Sequence, residues 1–178
     1  MTRALVVYES VFGDARSIAQ AVAEGLSGTV PADVVAAAEA PADIGPDVVL
    51  LVVGGPNHAF GMPSPSTRQG AVDQHGADIR DIRTGLHEWL ETVHVSAPRL
   101  PAAAFDTRSG EHRLIARMDH AARTEETLLR RTGAHLVAPA EHFSVAGTKG
   151  PLVEGEQDRA REWGRLLAGR VSGAAAAG

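Results

Sequence analysis

Apolar residues follow two alternating patterns along this chain: continuous runs, and stretches with helical spacing. Ala4–Tyr8 is a continuous run with β-branched members, and DVVLLVVGG at residues 47–55 is the clearest run of this kind. Such runs are typical of strands that are covered on both faces of a parallel sheet. Shorter runs predict three more strands, at residues 34–36, 100–107 and 134–139.

Between these runs, apolar residues recur every three or four positions, which predicts amphipathic helices. The first helix follows residue 14, and either Ser64 or Ser66 is placed to cap a short second one. Further helices are predicted at about residues 79–93, 114–131 and 155–171. The last stretch, SGAAAAG at residues 172–178, is expected to be a flexible tail.

Strands that alternate with helices predict right-handed βαβ crossovers, and therefore one α/β domain over residues 1–171. In sheets of this kind, ligands bind beyond the carboxyl ends of the strands, where the winding direction reverses. The loops that follow Tyr8, Gly55 and Phe105 therefore form the candidate site. Phe105 itself is expected to stay on its strand and point into the core.

Composition and charge exclude several classes of protein. The 178 residues carry a formal net charge of −5, and the arginines are scattered, so no nucleic-acid partner is expected. There is no cysteine, and hence no disulfide or thiolate. No apolar run approaches the roughly 20 residues of a membrane span, and no signal-peptide pattern opens the chain. We therefore expect a cytoplasmic protein without a membrane partner.

Motifs for metal binding and side-chain catalysis are missing from the sequence. The eight histidines include no i, i+4 pair and no HExxH motif, so no metal site is expected. The sequence has no GxSxG elbow, and GTKG at residues 147–150 lacks the spacing of a nucleotide P-loop. No side chain is therefore nominated as catalytic.

The first candidate loop, ESVFGDARSIA at residues 9–19, joins the first strand to the first helix. The start of a helix leaves N–H donors free and carries about half a positive charge, which suits a phosphate group. Gly13 permits a tight turn and a close approach of a ligand, and Ser10 offers a hydroxyl donor. This strand–turn–helix corner is therefore a candidate phosphate site.

The three candidate loops together resemble those of flavodoxin-like proteins, and in particular flavodoxin-domain proteins of actinobacteria. ESVFGDARSIA resembles their phosphate loop, VVGGPNHAFGMPSPSTR the second loop, and AFDTRSGEHR lies where the third should be. The resemblance implies a doubly wound five-stranded parallel sheet of order 2-1-3-4-5, with helices on both faces and bound FMN. It implies FMN contacts from Ser10, Val11, Phe12, Gly13, Asp14, Ala15, Pro56, Asn57, His58, Ala59, Phe60, Gly61, Asp106, Thr107, Arg108 and Gly110.

Two residues depart from the usual phosphate loop. Ala15 lacks a hydroxyl, and Asp14 replaces an amide with a carboxylate that only accepts hydrogen bonds. At about 5 Å from a phosphate, a carboxylate costs roughly 3 kcal/mol at an effective dielectric of about 20. Asp is also a favoured N-cap, so Asp14 could occupy the N–H groups itself. The sequence thus leaves open both weak FMN binding and an empty, self-capped helix start.

The implied function is that of an FMN-binding redox or electron-transfer protein, as a monomer or a homodimer. Its partner would be another redox protein or a small quinone-like acceptor. One alternative is a binding or regulatory module with weakened or lost FMN binding, and another is an FMN-dependent NAD(P)H quinone oxidoreductase. Charged residues of both signs in and beside the loops would tolerate an anionic reduced flavin: Arg68, Arg108 and Arg113 with Glu9, Asp106 and Glu111.

Overall fold

A computed structural model describes residues 1–57, 62–79, 81–109, 121–147 and 149–176. Alternating strands and helices form a parallel sheet between two layers of helices. The strands are β1 (Arg3–Tyr8), β2 (Ala32–Ala36), β3 (Asp43–Ile44), β4 (Val48–Pro56), β5 (His94–Val95), β6 (Pro101–Ser109), β7 (His135–Leu136) and β8 (Glu141–Val145). The helices are α1 (Asp14–Leu26), α2 (Pro65–His75), α3 (Leu86–Thr92), α4 (Ala121–Arg131) and α5 (Glu156–Ala176).

The main sheet has the order β2-β1-β4-β6, and both β7 and β8 pair with β6 on its other side. All of these pairs are parallel, with Val6 beside Val34 on one side and Val52 on the other. Because β7 and β8 share one position, the sheet has five positions in the predicted order 2-1-3-4-5. The predicted fold class is therefore confirmed.

The fifth position of the sheet is divided between two short strands. β7 pairs with the start of β6, and β8 pairs with Phe105–Ser109 at its end. The sequence predicted one strand at residues 134–139 and no strand after it. Pro139 lies between the two parts, and proline has no N–H to donate to a ladder. The longer pairing therefore falls to residues 141–145.

Each face of the sheet has its own apolar core. On one face, α1 and α5 cover Val6, Val52 and Phe105, and on the other face α3 and α4 cover Leu5 and Leu51. Phe105 is fully buried on its strand, as predicted. A Cβ at Gly54 would lie 2.3 Å from the Phe105 ring, so only glycine leaves room for that ring on the neighbouring strand.

Some element boundaries differ from those predicted. The 79–93 helix begins only at Leu86, after Gly85, whose N–H donates to Glu88 Oε2 at 2.9 Å. β3 and β5 form a separate two-stranded sheet that the sequence did not predict. α5 continues to Ala176 rather than ending at residue 171, since alanine is the strongest helix former. The first part of the predicted 114–131 helix lies outside the described residues.

Of the two residues predicted to cap α2, Ser64 and Ser66, the structure uses Ser64. Ser64 is its N-cap, and Ser64 Oγ accepts from the Thr67 N–H at 3.3 Å. The Ser64 N–H donates in turn to Thr67 Oγ1 at 2.8 Å, which closes a capping box.

Among the helices in the described ranges, none has the length and apolar character needed to cross a membrane.

Candidate functional site

The corner between β1 and α1 has an open helix start. Gly13 is the N-cap of α1 with φ 101°, a left-handed conformation that favours glycine. No side chain caps this helix, so the N–H groups of its first turn face out of the corner. Ser10 Oγ accepts from the Gly13 N–H at 3.0 Å, which leaves the hydroxyl hydrogen of Ser10 to donate elsewhere.

Asp14 does not cap α1. It is the first residue of the helix rather than its N-cap, which corrects the self-capping alternative. Its carboxylate lies against Gly150, where a Cβ would stand 2.4 Å from Asp14 Oδ2. Burial raises the Asp14 pKa, and a backbone hydrogen bond from Leu152 opposes that shift. The carboxylate is therefore turned towards the loop after β8 and leaves the first-turn N–H groups uncapped.

The other residues of the phosphate loop anchor it to the fold. Val11 and Ala15 are buried, and Val11 packs with Ala71 of α2. The Phe12 ring meets the His75 ring edge to face, with the ring centroids 6.1 Å apart. The side chains of Val11 and Phe12 thus fix the loop against α2.

The second loop is described only at its start. Pro56 ends β4, and the Asn57 N–H donates to the Thr107 carbonyl oxygen at 2.9 Å. Asn57 therefore still runs beside β6. His58, Ala59, Phe60 and Gly61 lie outside the described residues, so their predicted contacts with the flavin ring stay predictions.

The third group of predicted contacts lies in a strand, not in a loop. β6 runs to Ser109, so Asp106, Thr107 and Arg108 belong to it, and Gly110 lies outside the described residues. Asp106 is fully buried and accepts from Arg108 Nε and Nη2 at 3.0 and 2.9 Å. Asp106 Oδ1 also lies 3.0 Å from His142 Nδ1, and Arg108 contacts the same ring. Parallel pairing with β8 carries this strand to Ser109, beyond its predicted end at residue 107.

A buried ion network near the corner was not predicted as such. Arg68 Nε lies 2.6 Å from Glu9 Oε1, and Arg68 Nη2 lies 2.8 Å from Glu88 Oε2. Burial opposes the charge on Arg68, but hydrogen bonds with Glu9 and Glu88 outweigh it and raise the Arg68 pKa. Burial likewise opposes ionisation of Glu88, yet the hydrogen bond from Arg68 prevails and lowers the Glu88 pKa. This arginine is therefore committed to carboxylates of the protein.

The same network joins the two sides of the candidate site. Arg68 Nη2 donates to the Pro63 carbonyl oxygen at 2.9 Å, and the Leu86 N–H donates to Glu9 Oε2 at 2.8 Å. Glu9 directly precedes Ser10, so the network links the phosphate corner to the segment that follows the second loop. No local sequence signal predicts this pairing, because Glu9 and Arg68 are far apart in the chain.

The predicted site residues that the structure describes meet at one edge of the sheet. Tyr8 pairs with Gly54, and Pro56 pairs with Thr107, so the carboxyl ends of β1, β4 and β6 lie side by side. Gly13, at the open corner, is exposed on this edge. This corner is the switch point of the sheet, because β2 lies on one side of β1 and β4 lies on the other.

Solved structures with the same architecture include several flavodoxins. A flavodoxin from the domain Archaea aligns with a TM-score of 0.62 at 15% identity, over 96% of this chain and 99% of that one. Oxidised flavodoxin 2 from Bacillus cereus gives 0.62 at 16% identity, over 95% and 99%. The Flv1 flavodiiron core from Synechocystis gives 0.61 at 17% identity, over 97% of this chain and 36% of that one. No family model and no curated protein matches the sequence.

These likenesses define a flavodoxin-like α/β fold. At this level of sequence identity they show the fold alone, and the function must be argued from the site. The narrower resemblance to flavodoxin-domain proteins of actinobacteria stays a prediction.

Proposed function

We propose that this protein binds FMN at the β1–α1 corner and serves as a redox or electron-transfer protein. The observation that carries the proposal is the uncapped first turn of α1 behind Gly13, at the switch point of a flavodoxin-like sheet. Flavodoxins are among the solved structures that share this fold.

The residues at the corner fit a phosphate group. The first-turn N–H groups and the positive end of the helix dipole attract an anion. Gly13 has no atom within 4 Å of the position of a Cβ, so a ligand has access to the backbone there. The Ser10 hydroxyl adds a donor, and the Asp14 carboxylate is engaged by the loop after β8. This arrangement favours the binding alternative over the self-capped one.

FMN would supply the electron-transfer chemistry, while the protein would supply position and electrostatics. Arg68 is neutralised by Glu9 and Glu88, and Arg108 is paired with Asp106. Of the three arginines that the sequence placed near the flavin, these two are thus matched by carboxylates, and Arg113 lies outside the described residues. We expect electrons to pass to or from another redox protein or a small quinone-like acceptor, with a monomer or a homodimer as the working unit.

A specific observation also favours a second candidate, a binding or regulatory module with weakened or lost FMN binding. Ala15 is buried and has no hydroxyl, and Asp14 keeps a carboxylate within the first turn of α1. An FMN-dependent NAD(P)H quinone oxidoreductase is the third candidate, and a flavin test separates all three.

The test is a flavin titration of purified protein from which any bound cofactor has been removed. Binding of FMN that changes its visible spectrum and quenches its fluorescence supports the proposal. Protein that binds neither FMN nor riboflavin supports the regulatory module and overturns the redox function. Bleaching of the bound flavin by NAD(P)H without a partner protein identifies the oxidoreductase.

A further inference from the structure

The segment Gly150–Leu152, which follows β8, touches the phosphate corner. A Cβ at Gly150 would lie 2.4 Å from Asp14 Oδ2 and 2.8 Å from Oδ1, so the carboxylate packs directly on the glycine backbone. Gly150 has φ 85°, in the left-handed region. The Leu152 backbone N–H acts on the same carboxylate. Gly150 and Leu152 of one segment thus both contact the Asp14 carboxylate.

The segment is itself held in place by the fold. The Ala146 N–H donates to the Pro151 carbonyl oxygen at 2.8 Å, and the Val153 N–H donates to the Ser144 carbonyl oxygen at 2.9 Å. Val145 and Leu152 form an isolated antiparallel bridge. The contact with Asp14 is therefore made by a backbone that is fixed to the end of β8.

A free carboxylate at the first residue of α1 would compete with a phosphate for the first-turn N–H groups and repel its charge. A carboxylate held by the segment neither competes for these N–H groups nor repels the phosphate at close range. We infer that Gly150–Leu152 is a positioning element of the phosphate corner, which holds the Asp14 carboxylate off the N–H groups and so makes room for the FMN phosphate. This inference rests on the proposed function.

The first test compares FMN with riboflavin, which lacks the phosphate, at pH 8, where the phosphate is a dianion. The variant Gly150→Ala displaces the carboxylate from its contact. We expect its FMN affinity to fall by about tenfold or more, the order for one like charge near a phosphate, while riboflavin affinity is unchanged.

The variant Asp14→Ala is the matched background for this comparison. Without the carboxylate, the further change Gly150→Ala should leave the ratio of FMN to riboflavin affinity unchanged. An equal loss of FMN affinity in both backgrounds would assign the effect to the backbone of Gly150 and overturn the inference. Unchanged riboflavin binding shows that each variant is folded.

A second measurement does not depend on FMN. Arg16 of α1 and Lys149 of the same loop are the charged residues nearest in sequence to Asp14 and Gly150, and both are exposed, as is His75 of α2, whose carbonyl oxygen accepts from Lys149 Nζ at 3.3 Å. In an NMR titration from pH 3 to 7, the Leu152 amide proton should follow Asp14 and lose that response in Asp14→Ala. A Leu152 amide that ignores Asp14 overturns the inference even where FMN binds. A responsive amide in protein that binds no FMN overturns the proposed function and the positioning role together, and leaves a purely structural contact.

Discussion

Arg68 and Glu9 form a closed ion pair between α2 and the end of β1, with 2.6 Å between Arg68 Nε and Glu9 Oε1. The two side chains are 1% and 9% exposed, and they lie 59 positions apart in the chain. Water therefore cannot solvate either charge once its partner is removed. The pair ties the residue before Ser10 to the helix that follows the second loop.

The change Arg68→Met should destabilise the protein strongly. It leaves Glu9 charged and buried, and removal of one partner of a buried pair costs about 3–5 kcal/mol in the free energy of unfolding. The measurement is urea denaturation at pH 7. The control Arg165→Met breaks the pair with Glu162 at the surface, so it should cost much less. Equal losses in the two variants would contradict a water-excluded pair.

Glu88 and Asp14 should shift the pH dependence of stability in opposite directions. Burial opposes ionisation of Glu88, but the hydrogen bond from Arg68 prevails and lowers the Glu88 pKa in the folded protein. The stability that ionised Glu88 contributes is therefore present above its unfolded pKa and is lost as the pH falls through its folded pKa. The Asp14 pKa is raised by burial, so its contribution holds below its unfolded pKa and is lost as the pH rises through the folded pKa.

Urea denaturation from pH 3 to 7 checks both signs. Glu88→Gln should lose less stability than the wild type as the pH falls below about 4. Asp14→Asn should be more stable than the wild type above about pH 4. If both substitutions changed the slope of stability against pH in the same way, this assignment would be contradicted.

The packing of α1 on α5 predicts a sharp difference between two glycines. A Cβ at Gly25 would lie 2.1 Å from the Arg161 carbonyl oxygen, whereas one at Gly28 meets no atom within 4 Å. Gly25→Ala should therefore cost about 1–3 kcal/mol or more, because the helices must separate. Gly28→Ala should be neutral or stabilise by up to about 1 kcal/mol. Thermal unfolding of the two variants is a direct comparison, and similar midpoints would refute the close approach.

The Ser10 hydroxyl should matter for FMN and not for riboflavin. Loss of one neutral hydrogen bond in Ser10→Ala corresponds to about 0.5–1.5 kcal/mol, or roughly two- to tenfold weaker FMN binding. Ser27→Ala is the control, since Ser27 Oγ donates to the Glu24 carbonyl oxygen at the opposite end of α1. Isothermal titration with both flavins separates the outcomes, and an equal effect on riboflavin would place Ser10 away from the phosphate.

The sequence predicted the features that local patterns encode. The apolar run of β4 is buried on both faces, and Ser64 caps α2 through its own side chain and that of Thr67. The alternation of strands and helices predicted a parallel α/β sheet, whereas the strand order was implied by the resemblance to flavodoxin-like proteins. The strands, the helices and the cap depend on residues a few positions apart, so a linear pattern carries them.

The missed features depend on contacts between distant parts of the chain. Arg68 lies on α2, and only the fold shows that it is paired with Glu9 and Glu88 instead of facing a ligand. Asp106 fell both in the predicted strand at residues 100–107 and in the loop predicted after Phe105, and its pairing with β8 places it in the sheet. Asp14 is a residue type that often caps helices, but its carboxylate contacts a loop from much later in the sequence.

The close contact between α1 and α5 also has a consequence for synthesis. Gly164 sits against the Val22 carbonyl oxygen, so a helix made early is covered only when a helix from much later in the sequence has been made. During translation, the flank of α1 that α5 later covers has no native partner, and a closing contact of such long range is slow to form. The nascent polypeptide therefore emerges from the ribosome with an apolar stripe unprotected, and aggregation at that stage is the hazard that its cell must manage.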